Sequence, residues 1–204
     1  MTASDPLTTA LVFLINAIFG FYILLLMLRL ILQWAGVGFR SEPILQFLYT
    51  VTQPSVAFLH GVVPRYRGKS MLLWQQQQID AAVIILLVLS EMLALLLTTL
   101  LFGQHLSLIK LVLLSIANLI SLLLNIFFWS ILIDVILSWV NSYDNYNPIS
   151  NILYNLNRPL LRPVRRALPP ISGVDLSPII VLLLLQMTDI LMVGYLQKFA
   201  GLFG

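Results

Sequence analysis

The chain has 204 residues, of which 60% are hydrophobic and 9% charged, with eleven Lys and Arg against eight Asp and Glu. Soluble globular domains carry roughly 25% charged residues, so this chain cannot cover itself with a water-compatible surface. It contains no cysteine, which excludes disulfides and thiolate metal sites.

In chain order, four apolar runs cover residues 7–34, 79–102, 106–139 and 174–199. Each exceeds the ~20 residues that a helix needs to cross a bilayer core. The first is read as a retained span, because 1–6 carries no positive n-region and the run is longer than a signal-peptide core of roughly 7–15 residues. Between the first two runs lie Arg40, Arg65, Arg67 and Lys69; between the last two lie Arg158, Arg162, Arg165 and Arg166. The positive-inside rule puts both loops in the cytoplasm and both termini outside. The third run would be about 51 Å long as one helix, against a core of ~30 Å. It must tilt, project from the membrane or break. Ser115, Asn118, Ser121, Leu122 and Asn125 mark a polar stripe on it, with Asp134 near its cytoplasmic end. Small and polar side chains commonly line helix contacts in lipid; an ion path is the sharper alternative.

Displaced by 105 positions, the chain meets itself. Ile31, Leu32 and Trp34 fall on Ile136, Leu137 and Trp139, and Pro43 and Ile44 on Pro148 and Ile149. Leu48 and Tyr49 fall on Leu153 and Tyr154; Pro54, Pro64 and Gly68 fall on Pro159, Pro169 and Gly173. These are ten identities in 38 gap-free positions, rich in the residue types where chance agreement is rarest. Beyond Gly68 the offset drops to 95, so that Asp80 meets Asp175 and about 69–78 becomes an insertion. The repeats therefore cover 7–102 and 106–199. The expected fold is an all-α membrane protein whose four transmembrane helices form two parallel helix–amphipathic loop–helix repeats. The inverted repeats of many transporters are not expected.

Within the loops, Ile149, Ile152, Leu153 and Leu156 recur at helical spacing, as do Ile44, Phe47, Leu48 and Val51. Pro43 and Pro148 suit first turns, and Pro54 and Pro159 are expected to limit the far ends. In RPLLRPVRRALP, 158–169, the four arginines share one helical face. Leu160, Leu161, Val164, Ala167 and Leu168 occupy the other, with Pro163 allowing either one helix or two kinked pieces.

These residues resemble the YggT family of bacterial and plastid membrane proteins. The second copy carries the closer match: Trp139, NP at 147–148, the arginine-proline segment and GVDLSP at 173–178. The first retains Arg29, Trp34, EP at 42–43, TQP at 52–54, Pro64 and Asp80. Arg29 corresponds to Asp134, Ala57, His60 and Gly61 to Arg162, Arg165 and Arg166, and Ala82 to Ser177. Their equivalent depths lead us to expect an Arg29–Asp134 ion pair between repeats. The resemblance implies a multi-pass protein of the bacterial inner membrane, in which the termini that the positive-inside rule places outside are periplasmic. It further implies a role in osmotic tolerance, division or the assembly of membrane complexes.

Candidate sites follow. Arg158, Arg162, Arg165 and Arg166 are candidates for membrane anchoring, or for binding anionic headgroups or an acidic protein, each arginine being worth roughly 1 kcal/mol near an anionic leaflet. Nucleic acid is excluded, since the segment is short, held at the membrane and lacks interleaved aromatics. Asp80 and Asp175 open the second helix of each unit, where a carboxylate accepts from free backbone N–H groups; Ser177 and Pro178 fit the same start. Glu91 lies mid-span, where a charge costs at least about 2.5–3.5 kcal/mol. It is expected to be hydrogen-bonded across the repeat interface; its repeat counterpart is Gln186, with Asp189 one turn on. Arg29, Trp34, Pro54, Pro64, Asp134, Trp139, Pro159, Pro169 and Gly173 complete the structural motif. No catalytic, metal or cofactor motif is apparent. The reading is a non-enzymatic scaffold that docks lipid, other membrane or cytoplasmic proteins, and copies of itself. The alternative is a small oligomeric channel or transporter relaying through Glu91 and Asp189.

Overall fold

A computed structural model describes residues 5–35, 43–62, 81–103, 106–140, 148–168 and 175–203. All regular structure among them is helical: α1 (Pro6–Trp34), α2 (Pro43–Val62), α3 (Ala81–Leu101), α4 (Leu108–Val140), α5 (Pro148–Ala167) and α6 (Ser177–Thr188). A π-helical segment (Asp189–Val193), α7 (Gly194–Ala200) and a 3-10 turn (Gly201–Phe203) continue α6 into one long span. Four helices are long and apolar enough to cross a membrane: Pro6–Trp34, Ala81–Leu101, Leu108–Ser138 and Ser177–Phe203. The expected all-α fold with two helix–loop helix–helix units is the observed one. Gly103 ends α3 at φ 65°, a left-handed conformation that glycine adopts without a Cβ clash.

α4 is unbroken over 33 residues, about 50 Å. Of the three expected solutions, a break is thus excluded. The boundaries expected for the loop helices need correcting. Pro54 does not end α2, and neither Pro159 nor Pro163 ends or divides α5. All three prolines are exposed. The carbonyl each one leaves unbonded, four residues back, sits on the same outward face and is not sealed in the core.

α1 packs on α3, α3 on α4, and α4 on the fourth span, while α2 lies against α1 and α3 and α5 against α4 and α6. The main core gathers at the end of the spans where α2 and α5 return. It joins Ile31 of α1, Val56 of α2, Val83 of α3, Ile131 of α4, Leu161 of α5 and Val181 of α6. Burial follows the repeat. Leu26 and Ile131, Thr52 and Asn157, Val56 and Leu161, and Ala82 and Ser177 are equivalent pairs, and every member is buried. Trp34 meets Phe127 edge-to-face, with ring centroids 6.3 Å apart, tying α1 to α4.

Candidate functional site

The loop helices are fixed by buried polar contacts at equivalent positions. In the first unit Arg29, 5% exposed, donates from Nη1 to Thr52 Oγ1 at 2.8 Å and from Nη2 to Gln53 Oε1 at 3.0 Å. Its guanidinium lies 4.7 Å from the Tyr49 ring centroid, a cation–π distance. Thr52 in turn donates to Leu48 O at 2.7 Å. In the second unit Ser130 Oγ donates to Asn157 Oδ1 at 2.6 Å. Half-buried Asp134 faces the Asn157 amide and Arg165, although the Asn157 nitrogen completes no hydrogen bond.

The expected Arg29–Asp134 pair does not form. Each side chain turns to the loop helix of its own repeat, where α2 or α5 brings a polar group within reach. The sequence exchange is paired: Asp134 replaces Arg29, and Asn157 stands where Thr52 does. Ser130 and Asn157 were not singled out from sequence, and Thr52, Gln53 and Tyr49 stood out only as motif or repeat positions, not as partners of Arg29; the signal available was a polar residue at both 52 and 157.

On α5 the four arginines are exposed, while Leu156 and Leu161 are buried. They do not form one uniform patch. Arg165 Nε donates to Asp175 Oδ2 at 2.8 Å, an ion pair with side chains 43% and 38% exposed. Arg158, Arg162 and Arg166, spaced i, i+4, i+8, form a row. They have no side-chain partner among the described residues.

Asp175 Oδ1 also accepts from the Ser177 N–H at 2.9 Å, as expected of a carboxylate before a helix. Burial raises its pKa, but the Ser177 hydroxyl and amide and the Arg165 guanidinium outweigh this and hold it below the usual carboxylate value. The Ser177 hydroxyl is buried near the carboxylate without hydrogen-bond geometry of its own. Because the folded pKa is the lower one, Asp175 stabilises fully above about pH 4, and this is lost as pH falls through the folded value. Asp175→Asn is expected to cost about 1 kcal/mol at neutral pH, given the pair's exposure. Melting curves of both proteins should converge as pH drops below 4; a constant gap would refute the assignment.

Glu91 Oε1 accepts from Asn118 Nδ2 at 2.8 Å, joining α3 to α4 across the repeat boundary. Elsewhere on the polar stripe, Ser115 donates to Leu111 O and Asn125 Nδ2 to Ser121 O. Gln186 is exposed and Asp189 half-buried; both line a cleft between α4 and the fourth span. Asp80, Pro64, Pro169 and Gly173 lie outside the described residues, as does the Trp139 side chain. Among the described residues no cluster of His, Asp or Glu could hold a metal ion.

The family model described as CCB3/YggT matches residues 8–101 and 113–196. The chain belongs to the CCB3/YggT family. Its two matched segments correspond to the two helical units, and the second carries the arginine row. This CCB3/YggT member is 34% identical over 196 residues to the protein PA0392 of Pseudomonas aeruginosa, covering 96% of this chain and 94% of that one. It is 34% identical over 194 residues to YggT of Escherichia coli K12, covering 92% and 91%. It is 30% identical over 198 residues to a Vibrio alginolyticus protein, covering 88% and 91%. No solved structure matches the chain.

Proposed function

We propose that this CCB3/YggT chain is a non-enzymatic scaffold of the bacterial inner membrane, its termini periplasmic, that docks anionic groups through α5 at the cytoplasmic surface. One observation carries the reading: Arg158, Arg162 and Arg166 stand in a row on a helix fixed by Leu156 and Leu161, with no side-chain partner among the described residues. Arg165 is occupied by Asp175 and serves the joint between α5 and the fourth span. α5 is thus an amphipathic helix presenting three cations to an anionic headgroup or an acidic protein. Such a surface fits the roles the family resemblance implies, in osmotic tolerance, division or membrane-complex assembly.

Each arginine is worth roughly 1 kcal/mol beside an anionic leaflet, so three together contribute about 3 kcal/mol, on the order of 100-fold in affinity. Native purification of wild type and Arg158/Arg162/Arg166→Gln, with Arg165 retained, tests this. The triple variant is expected to insert and melt like wild type while losing bound anionic lipid or an acidic protein. An unchanged set of bound lipids and proteins would refute docking. The channel or transporter reading draws support from the π-helical segment that starts at Asp189, since such segments recur at functional sites. Against it, the Glu91 carboxylate is engaged by Asn118 and does not line the Asp189 cleft.

A further inference from the structure

Asn125, Gln186 and Asp189 come together where α4 meets the fourth span, in a cleft completed by Leu124, Phe128 and Leu185 and too narrow for water. Gln186 and Asp189 lie nine and twelve residues beyond Ser177, about 14 and 18 Å along a span that crosses a ~30 Å core. The group is incompletely satisfied. Asp189 Oδ1 is buried without a partner. Gln186 is exposed and makes no side-chain hydrogen bond among the described residues. Asn125 is exposed; its Nδ2 is engaged by Ser121 O at 2.8 Å and Ser121 Oγ at 3.3 Å, and its Oδ1 by nothing described. Glu91 Oε1 and Asn118 Nδ2, by contrast, pair within the chain.

Hydrocarbon offers no hydrogen bonds to such groups, and polar side chains in membrane spans ordinarily face other helices. Here they sit at the outer margin of the bundle. We propose that this face is where a second copy of the chain packs, each copy setting its exposed Asn125 and Gln186 against those of the other. The chemistry favours a copy of itself. A primary amide carries both donor and acceptor, and a two-fold interface sets one patch against the same patch. Gln186 of one copy can then donate to Asn125 Oδ1 of the other. The surrounding Met187 and Ile190 are exposed and apolar, so they pack equally well on lipid or helix and leave the polar groups to set the register.

A chain without cysteine makes the test direct. Gln186→Cys, oxidised in native membranes with copper phenanthroline, should form a disulfide-linked dimer of the chain several-fold more than Leu184→Cys. Leu184 is exposed at similar depth on a different side of the helix. Equal cross-linking at both positions, or linkage of Gln186→Cys to a different protein, overturns the proposal. Photobleaching of fluorescently tagged chains in membranes gives a second reading that needs no cysteine. Wild type should bleach in two steps and Asn125→Leu/Gln186→Leu mostly in one; single-step bleaching of wild type overturns it.

Discussion

Leu161→Ala is expected to destabilise the protein by about 2–5 kcal/mol, the range for truncating a well-packed buried leucine. Leu161 belongs to α5, outside the four spans, and is 2% exposed in the cluster with Ile131, Leu156 and Val181. Its burial therefore removes apolar surface from water as well as filling space. A span residue gains less, because lipid tails are as apolar as leucine. Leu183 in the fourth span, 60% exposed, is the control, and Leu183→Ala should shift stability within ±0.5 kcal/mol. Hydrogen exchange should show the loss first in α5, whose amides should exchange faster in Leu161→Ala while α1 and α3 stay protected. Equal effects of the two substitutions would mean that α5 is not held by its apolar face.

Arg29→Leu is expected to cost about 2–3 kcal/mol, since a charged donor loses its bonds to Thr52 and Gln53 and its stacking on Tyr49. For a chain of this size that lowers the melting temperature by about 5–10 °C. Arg29→Lys should recover only part of it. One ammonium cannot reproduce the planar fork that reaches two acceptors and lies on an aromatic face. Asp134→Asn gives the contrast. If Arg29 paired with Asp134, the two substitutions would be strongly coupled; with separate partners in separate repeats their effects should add. Thermal unfolding of both single variants and the double variant in detergent measures this.

The spans were legible because hydropathy over 20 or more residues has little competition from local detail. The duplication was legible because Trp, Pro and Gly kept their register. Asp175 before the fourth span and Glu91 in the bundle could also be read, since the physics of each depends on a helix that hydropathy already places. Three features could not. Proline helices were judged by the missing donor alone, whereas Pro54, Pro159 and Pro163 stand on exposed faces. Arg29 and Asp134 were matched by charge and depth, but the folding back of α2 and α5 supplied nearer partners. The π-helical turn at Asp189–Val193 has no sequence signature, and although their i, i+3 spacing put Gln186 and Asp189 on one face, nothing set Asn125 against them.

Docking through α5 requires both loop helices to lie on the cytoplasmic side, with both ends of the chain opposite. Single cysteines at Phe58, Arg162, Asp5 and Leu202 place one probe in each region, all at exposed positions. A membrane-impermeant maleimide applied to spheroplasts should label Asp5→Cys and Leu202→Cys at once. Phe58→Cys and Arg162→Cys should react only after permeabilisation. Labelling of Phe58→Cys and Arg162→Cys from opposite sides, or of Arg162→Cys in intact spheroplasts, would contradict the parallel repeat and the docking surface built on it.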